Sequence, residues 1–156
     1  MRILVAFAFV PFVPSEGRQA AQKLAAALSA SGWEVELSGL PIDPAAPRTA
    51  QLLALRLLSV EAETARLICL GSPACMLRHR DKRVWLDSAF DVPASHASGA
   101  DRAQIHALAL EEAQILAMTR GDSAARLLRV LARAPCVLER PASDVSWRRA
   151  AAALAA

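Results

Sequence analysis

The chain contains no tyrosine, and its aromatic residues are four Phe and three Trp. So few aromatics argue against an all-β sandwich, whose strands draw on aromatic and β-branched residues. They also leave little to stack on bases. A nucleic-acid module would concentrate more basic charge than the net +3 found here, so no nucleic-acid partner is expected. Cysteine is scarce as well. Cys69, Cys75 and Cys136 are odd in number and lie in apolar settings. That usage suits buried thiols in a reducing compartment better than a disulfide frame, and a cytoplasmic setting is expected. The apolar run Ile3–Val13 spans about 11 residues, too short for a bilayer. No small-residue cleavage site follows it, so it reads as a buried strand rather than a leader, and no transmembrane segment is expected. No second domain is expected, because 156 residues make one ordinary domain. Enzyme designs that need two full domains in one chain are excluded.

The sequence is instead rich in Ala (35) and Leu (22). Apolar residues make up 54% and charged residues 21%, enough to bury a core and inconsistent with disorder. Ile3–Phe9 is a continuous apolar run, the pattern of a central parallel strand covered on both faces. After a loop with Pro11, Pro14 and Gly17, a helix is expected over Arg18–Ser31. Ala21, Leu24, Ala25 and Leu28 form its apolar stripe, and Gly32 stands at its C-cap. Glu34–Leu37 alternates as a strand, and Thr49–Ser59 is a Leu-rich helix beyond Asp43, Pro44 and Pro47. Arg66–Leu70 and Arg83–Leu86 give two further strands, followed by a long loop at 87–100. Asp101 caps a helix reaching Gln114, Ile115–Met118 is a short strand, and a helix from Asp122 or Ser123 runs to Arg133. Cys136–Leu138 is the last strand, and Ser143–Ala155 is a final helix capped by Asp144 or Ser146.

Alternation of strands and helices predicts an α/β fold: a single Rossmann-like three-layer domain with a parallel sheet of about six strands and helices on both faces. The domain is expected over residues 1–142, with the helix of 143–156 packed back on it. Ligands of such sheets bind beyond the carboxyl ends of the strands. The corresponding loops are 10–18, 71–81, 87–100 and 119–122.

The usual signatures of chemistry are absent. There is no G-x-G-x-x-G, no G-x-S-x-G around a serine, and no metal-ligand spacing among His79, His96 and His106. No catalytic residue, metal or cofactor is assigned. Ser15, Glu16, Gly17 and Arg18 open the first helix, where free N–H groups favour an anion, although Glu16 repels one and plain capping explains the same residues. Arg78, His79, Arg80, Lys82 and Arg83 form the densest basic cluster, either an anion or sugar contact or a solvated turn. Arg126, Arg129 and Arg133 share one helix face, a partner surface or a solvated one.

Several stretches together resemble one family. Met1-Arg2-Ile3-Leu4-Val5, Gly17-Arg18 and Gly32-Trp33-Glu34-Val35 are similar to the opening of a GT-B glycosyltransferase of the retaining family 4 type. Ser72-Pro73-Ala74, Arg78-His79 and Lys82-Arg83-Val84-Trp85-Leu86 are similar to its later turn, basic pair and strand. The segment from Ile105 through Glu112-Ala113, Met118-Thr119 and Ala125-Arg126-Leu127 to Val137-Leu138 continues the likeness. Ser146-Trp147-Arg148-Arg149 resembles the helix that closes such enzymes. The resemblance implies an acceptor-side half without its donor-binding domain, inactive as an isolated chain. It implies a separate donor-domain or glycosyltransferase partner and a sugar or sugar-nucleotide ligand, with homo-oligomers left open. Its candidate ligand contacts are Ser15, Glu16, Gly17, Arg18, Ser72, Arg78, His79, Asp87, Ser88, Thr119 and Arg120. Two other readings stand beside it. One is a non-catalytic relative that regulates a partner. The other is an unrelated Rossmann-like module that binds a small anion through Gly17-Arg18 and Arg78.

Overall fold

Six strands line up in parallel in the order β2-β1-β3-β4-β5-β6. They are β1 (Arg2–Phe9), β2 (Glu34–Pro41), β3 (Arg66–Leu70), β4 (Lys82–Leu86), β5 (Ile115–Thr119) and β6 (Cys136–Leu138). The computed structural model describes residues 2–60, 64–91, 106–119 and 135–156. Within these, the helices are α1 (Glu16–Ala30), α2 (Arg48–Arg56), α3 (residues 106–111) and α4 (Asp144–Ala155). The strand order places the switch point between β1 and β3, as in the flavodoxin-like doubly wound sheet.

The continuous apolar runs explain the sheet. Every residue from Ile3 to Ala8 is buried, because β1 is covered on both faces. On one face Ile3, Val5, Phe7, Ile68, Leu70 and Trp85 pack against α1 and α4. On the other Leu4, Ala6, Leu67, Cys69, Val84 and Leu86 pack against α2, α3 and the 3₁₀ turn Ala74–Met76. The result is the three-layer α/β architecture that the alternation of elements predicts.

Some boundaries differ from expectation. β2 continues past Leu37 to Pro41, because its register with β1 runs unbroken from Arg2↔Glu34 to Phe9↔Pro41. Main-chain pairing, not side-chain alternation, sets its length. α2 stops at Arg56, and Ser59 leaves the helix to form an isolated bridge with Arg78. Ser143, rather than Asp144 or Ser146, caps α4. It exchanges side-chain hydrogen bonds with Ser146 in a capping box. The helix expected over 122–133, with Arg126, Arg129 and Arg133, lies outside the described residues, as do Asp101, His96 and Arg120.

α4 lies along α1 and buries Trp147, Ala150, Ala151 and Leu154 at i, i+3, i+4 and i+7. Its last carbonyls are held by two arginines from the amino ends of β3 and β4. Arg83 Nη1 donates to Leu154 O at 3.0 Å, and Arg66 Nη1 donates to Ala155 O. Both guanidinium groups grip Asp81, Arg66 at 2.8 Å and Arg83 at 3.0 Å. Cations at a helix C-terminus complement its dipole. No helix among the described residues is long and apolar enough to cross a membrane.

Candidate functional site

The strands end at a crevice of about 380 Å³ between the start of α1 and the segments that follow β4 and β6. Glu16, Gln19, Lys23, Asp87, Arg140 and Trp147 are among its walls. α1 starts where it does because the Ser15 hydroxyl accepts the Arg18 N–H at 3.1 Å. Gly17 follows in the first turn, where a Cβ would lie 3.4 Å from the Phe90 carbonyl oxygen. Arg18 sits over the Phe9 ring, 5.2 Å from its centroid.

Asp87 and Arg140 organise the far wall. Asp87 Oδ1 accepts from Ala89 N at 2.9 Å and from Arg140 Nη2 at 2.6 Å. The acid side chain is 1% exposed and the base 61%, so the carboxylate is sequestered while the guanidinium faces the crevice. Below them, Trp85 Nε1 donates to Thr119 Oγ1 at 2.9 Å inside the core, and Phe90 meets the Trp85 ring edge-on at 5.3 Å.

A second cluster adjoins this wall at the end of β3. Ser72 N donates to Asp91 Oδ1 at 2.6 Å, and Ser72 Oγ lies 2.6 Å from His106 Nε2. Ser72 and His106 are both buried. Gly71 has φ +64, and a Cβ there would meet Phe90 Cβ at 2.8 Å and Asp91 Oδ1 at 2.9 Å. The segment Ser88–Asp91 therefore lies directly on the Gly71-Ser72 turn.

The structure thus brings Ser15, Glu16, Gly17, Arg18, Ser72, Asp87, Ser88 and Thr119 to the carboxyl ends of the strands. It does not bring Arg78 or His79 there. Leu67 N donates to Asp81 O, so residues 78–81 sit at the amino end of β3, across the sheet from Gly17. The basic cluster is therefore not one site. Nor is it a solvated turn: His79, Lys82 and Arg83 are buried, whereas Arg78 and Arg80 are exposed. His79 Nδ1 accepts from Asp81 N at 3.0 Å, and its Nε2 bonds Thr64 O at 3.1 Å. It thereby ties Thr64 to Asp81.

Lys82 Nζ donates to Cys75 O at 3.3 Å and lies 3.6 Å from Glu112, which Arg56 also grips. Burial pushes the Lys82 pKa down against these partners. Burial pushes the Cys75 thiol up to about 12 and raises Cys69 as well, so neither is a thiolate at neutral pH.

Residue reading missed Lys23, Arg140, Trp147, Asp91 and His106 as contributors here. Arg140 carried one signal, its place just after the β6 strand. His106 carried none, because it meets Ser72 from 34 residues away. Among the described residues no group of His, Cys, Asp or Glu could hold a metal ion.

No protein-family model and no curated protein matches the chain. A solved structure of a diflavin flavoprotein from Nostoc sp. is similar at 15% identity, covering 98% of this chain and 88% of that one with a TM-score of 0.37. The glycosyltransferase expectation is corrected here: no GT-B or family 4 model and no curated transferase matches the chain. The residues that carried the likeness serve packing. His79 ties a loop, Lys82 and Trp85 fill the core, and the strand, turn and helix segments are what any doubly wound sheet requires.

Proposed function

We propose that the chain is an α/β ligand-binding module that takes a small anionic molecule in the strand-end crevice. The observation that carries this reading is the Asp87–Arg140 pair. A buried carboxylate pins one guanidinium nitrogen, and most of the group faces a polar pocket. A guanidinium fixed in this way presents its remaining N–H groups as a ready fork for a carboxylate or phosphate. Lys23 supplies a second cation, and Phe90 and Trp147 supply apolar floor. Glu16 faces the same space and selects against dense negative charge, which favours a ligand with a single anionic group beside hydroxyl or amine donors. A cytoplasmic setting belongs to the proposal, supported by the buried free thiols Cys69 and Cys75.

The test is an amide chemical-shift titration of the full chain with inorganic phosphate, with acetate and, separately, with a nucleoside monophosphate. Saturable shifts at Gly17, Ala20, Ala89 and Trp147 are expected, and Arg140→Gln should abolish them. The reading fails if none of the three probes shifts these amides, or if Arg140→Gln leaves the response unchanged.

A further inference from the structure

We infer that Ser72 and His106 form a nucleophile and base pair able to accept an acyl group from a small activated ester. A serine hydroxyl is a weak nucleophile until a neighbouring base takes its proton. Here Ser72 Oγ and His106 Nε2 are 2.6 Å apart, within reach for that transfer. The geometry is held from both sides. The Ser72 main chain is fixed by its N–H bond to Asp91, and the turn is closed by Cys75 N donating to Gly71 O at 3.1 Å. His106 lies on α3, whose Ala109 and Leu110 are anchored in the core. The pair stands at the carboxyl end of β3, beside the switch point where ligands of this sheet order bind.

The step balances with water as co-reactant. Ser72 Oγ attacks the ester carbonyl carbon as its proton passes to His106 Nε2. The bond from carbon to the leaving oxygen breaks, and the alcohol departs with that proton. Water then attacks the acyl carbon. His106 takes a proton from it and returns one to Ser72, releasing the carboxylic acid. Asp91 is a positioning residue in this scheme, because its Oδ1 holds the Ser72 main-chain N–H. Phe90 and Asp91 lie against the Gly71-Ser72 turn and both Ser72 and His106 are buried, so an ester reaches the pair only when that segment shifts.

A buried pair that merely satisfies two polar side chains would ignore electrophiles, and that contrast sets the test. The native full chain is treated with an alkyl fluorophosphonate, and the adduct is located by peptide mass spectrometry. In that reaction Ser72 Oγ displaces fluoride and His106 takes the proton. A single adduct on Ser72 is expected, absent in Ser72→Ala and formed about a hundredfold more slowly in His106→Gln. Release of nitrophenol from p-nitrophenyl acetate should follow the same order. No adduct on the native chain, or an adduct mapped to another residue, overturns the inference without reference to any variant. Undiminished labelling of folded His106→Gln overturns the role of the base.

Discussion

Replacing Asp81 by Asn should loosen the C-terminal helix more than any single change on its surface. Asp81 is the common partner of Arg66 and Arg83, at 2.8 and 3.0 Å. The two arginine side chains are 11% and 7% exposed. The substitution keeps shape and removes charge, leaving two nearly buried cations facing each other without a carboxylate. Removing one partner of a buried pair costs about 3–5 kcal/mol. Asp81 is itself 26% exposed, so solvent can reach the gap, and the lower end of about 3 kcal/mol is expected. For a chain of this size that corresponds to a melting-temperature loss of about 6–12 °C.

The loss also has a signature in pH. Burial raises the Asp81 pKa, but the hydrogen bonds and charges of Arg83 and Arg66 outweigh it and hold the carboxyl below its ordinary 3.8. A depressed acid stabilises the fold above its unfolded pKa, and that contribution disappears as pH falls through the folded value. The difference between wild type and Asp81→Asn should therefore be constant from neutral pH down to about 5 and shrink below 3.8. Urea unfolding followed by circular dichroism at several pH values measures it, and amide exchange at Leu154 and Ala155 localises it. A difference below about 1 kcal/mol at neutral pH would refute the reasoning, since it would place the pair in the class of exposed ion pairs.

Two further outcomes follow from the same geometry. Gly71→Ala should lower stability by about 2 kcal/mol or more in denaturant unfolding, because φ +64 strains an L residue and the new Cβ would lie 2.8 Å from Phe90 Cβ. An aromatic disulfide reagent applied to the native chain should titrate Cys136 promptly. It should reach Cys69 and Cys75 only on unfolding, since Cys136 is exposed and the other two are buried.

Much of the architecture was legible from residue order. Ile3–Phe9 and Arg66–Leu70 could only be strands buried on both faces, and the Leu24 and Leu28 stripe required a helix packed on them. Strand edges such as β2 were less legible, because hydrogen bonding to β1 prolongs a segment whose side chains alternate poorly. The misread basic cluster is instructive. Once β4 begins at Lys82, a period of two puts Lys82 beside Val84 and Leu86 and puts Arg83 beside Trp85, so both charges must enter the interior. The spacing was present, but a dense run of charge hid it. The meeting of Ser72 with His106, and of Asp87 with Arg140, depends on crossovers that no local spacing encodes. The likeness to a glycosyltransferase failed for a related reason: short motifs that mark strand ends and helix starts report the sheet, not the chemistry.

α4 has one more consequence. Its first turn places Trp147 in the crevice wall, and its last carbonyls are fastened by Arg66 and Arg83 at the opposite rim of the sheet. Twelve residues of helix make a strut about 18 Å long. The strut is stiff, so the indole's position is set by an anchorage it never touches. A load placed on the last turn of α4, next to that anchorage, would tug on the crevice from the far side of the molecule.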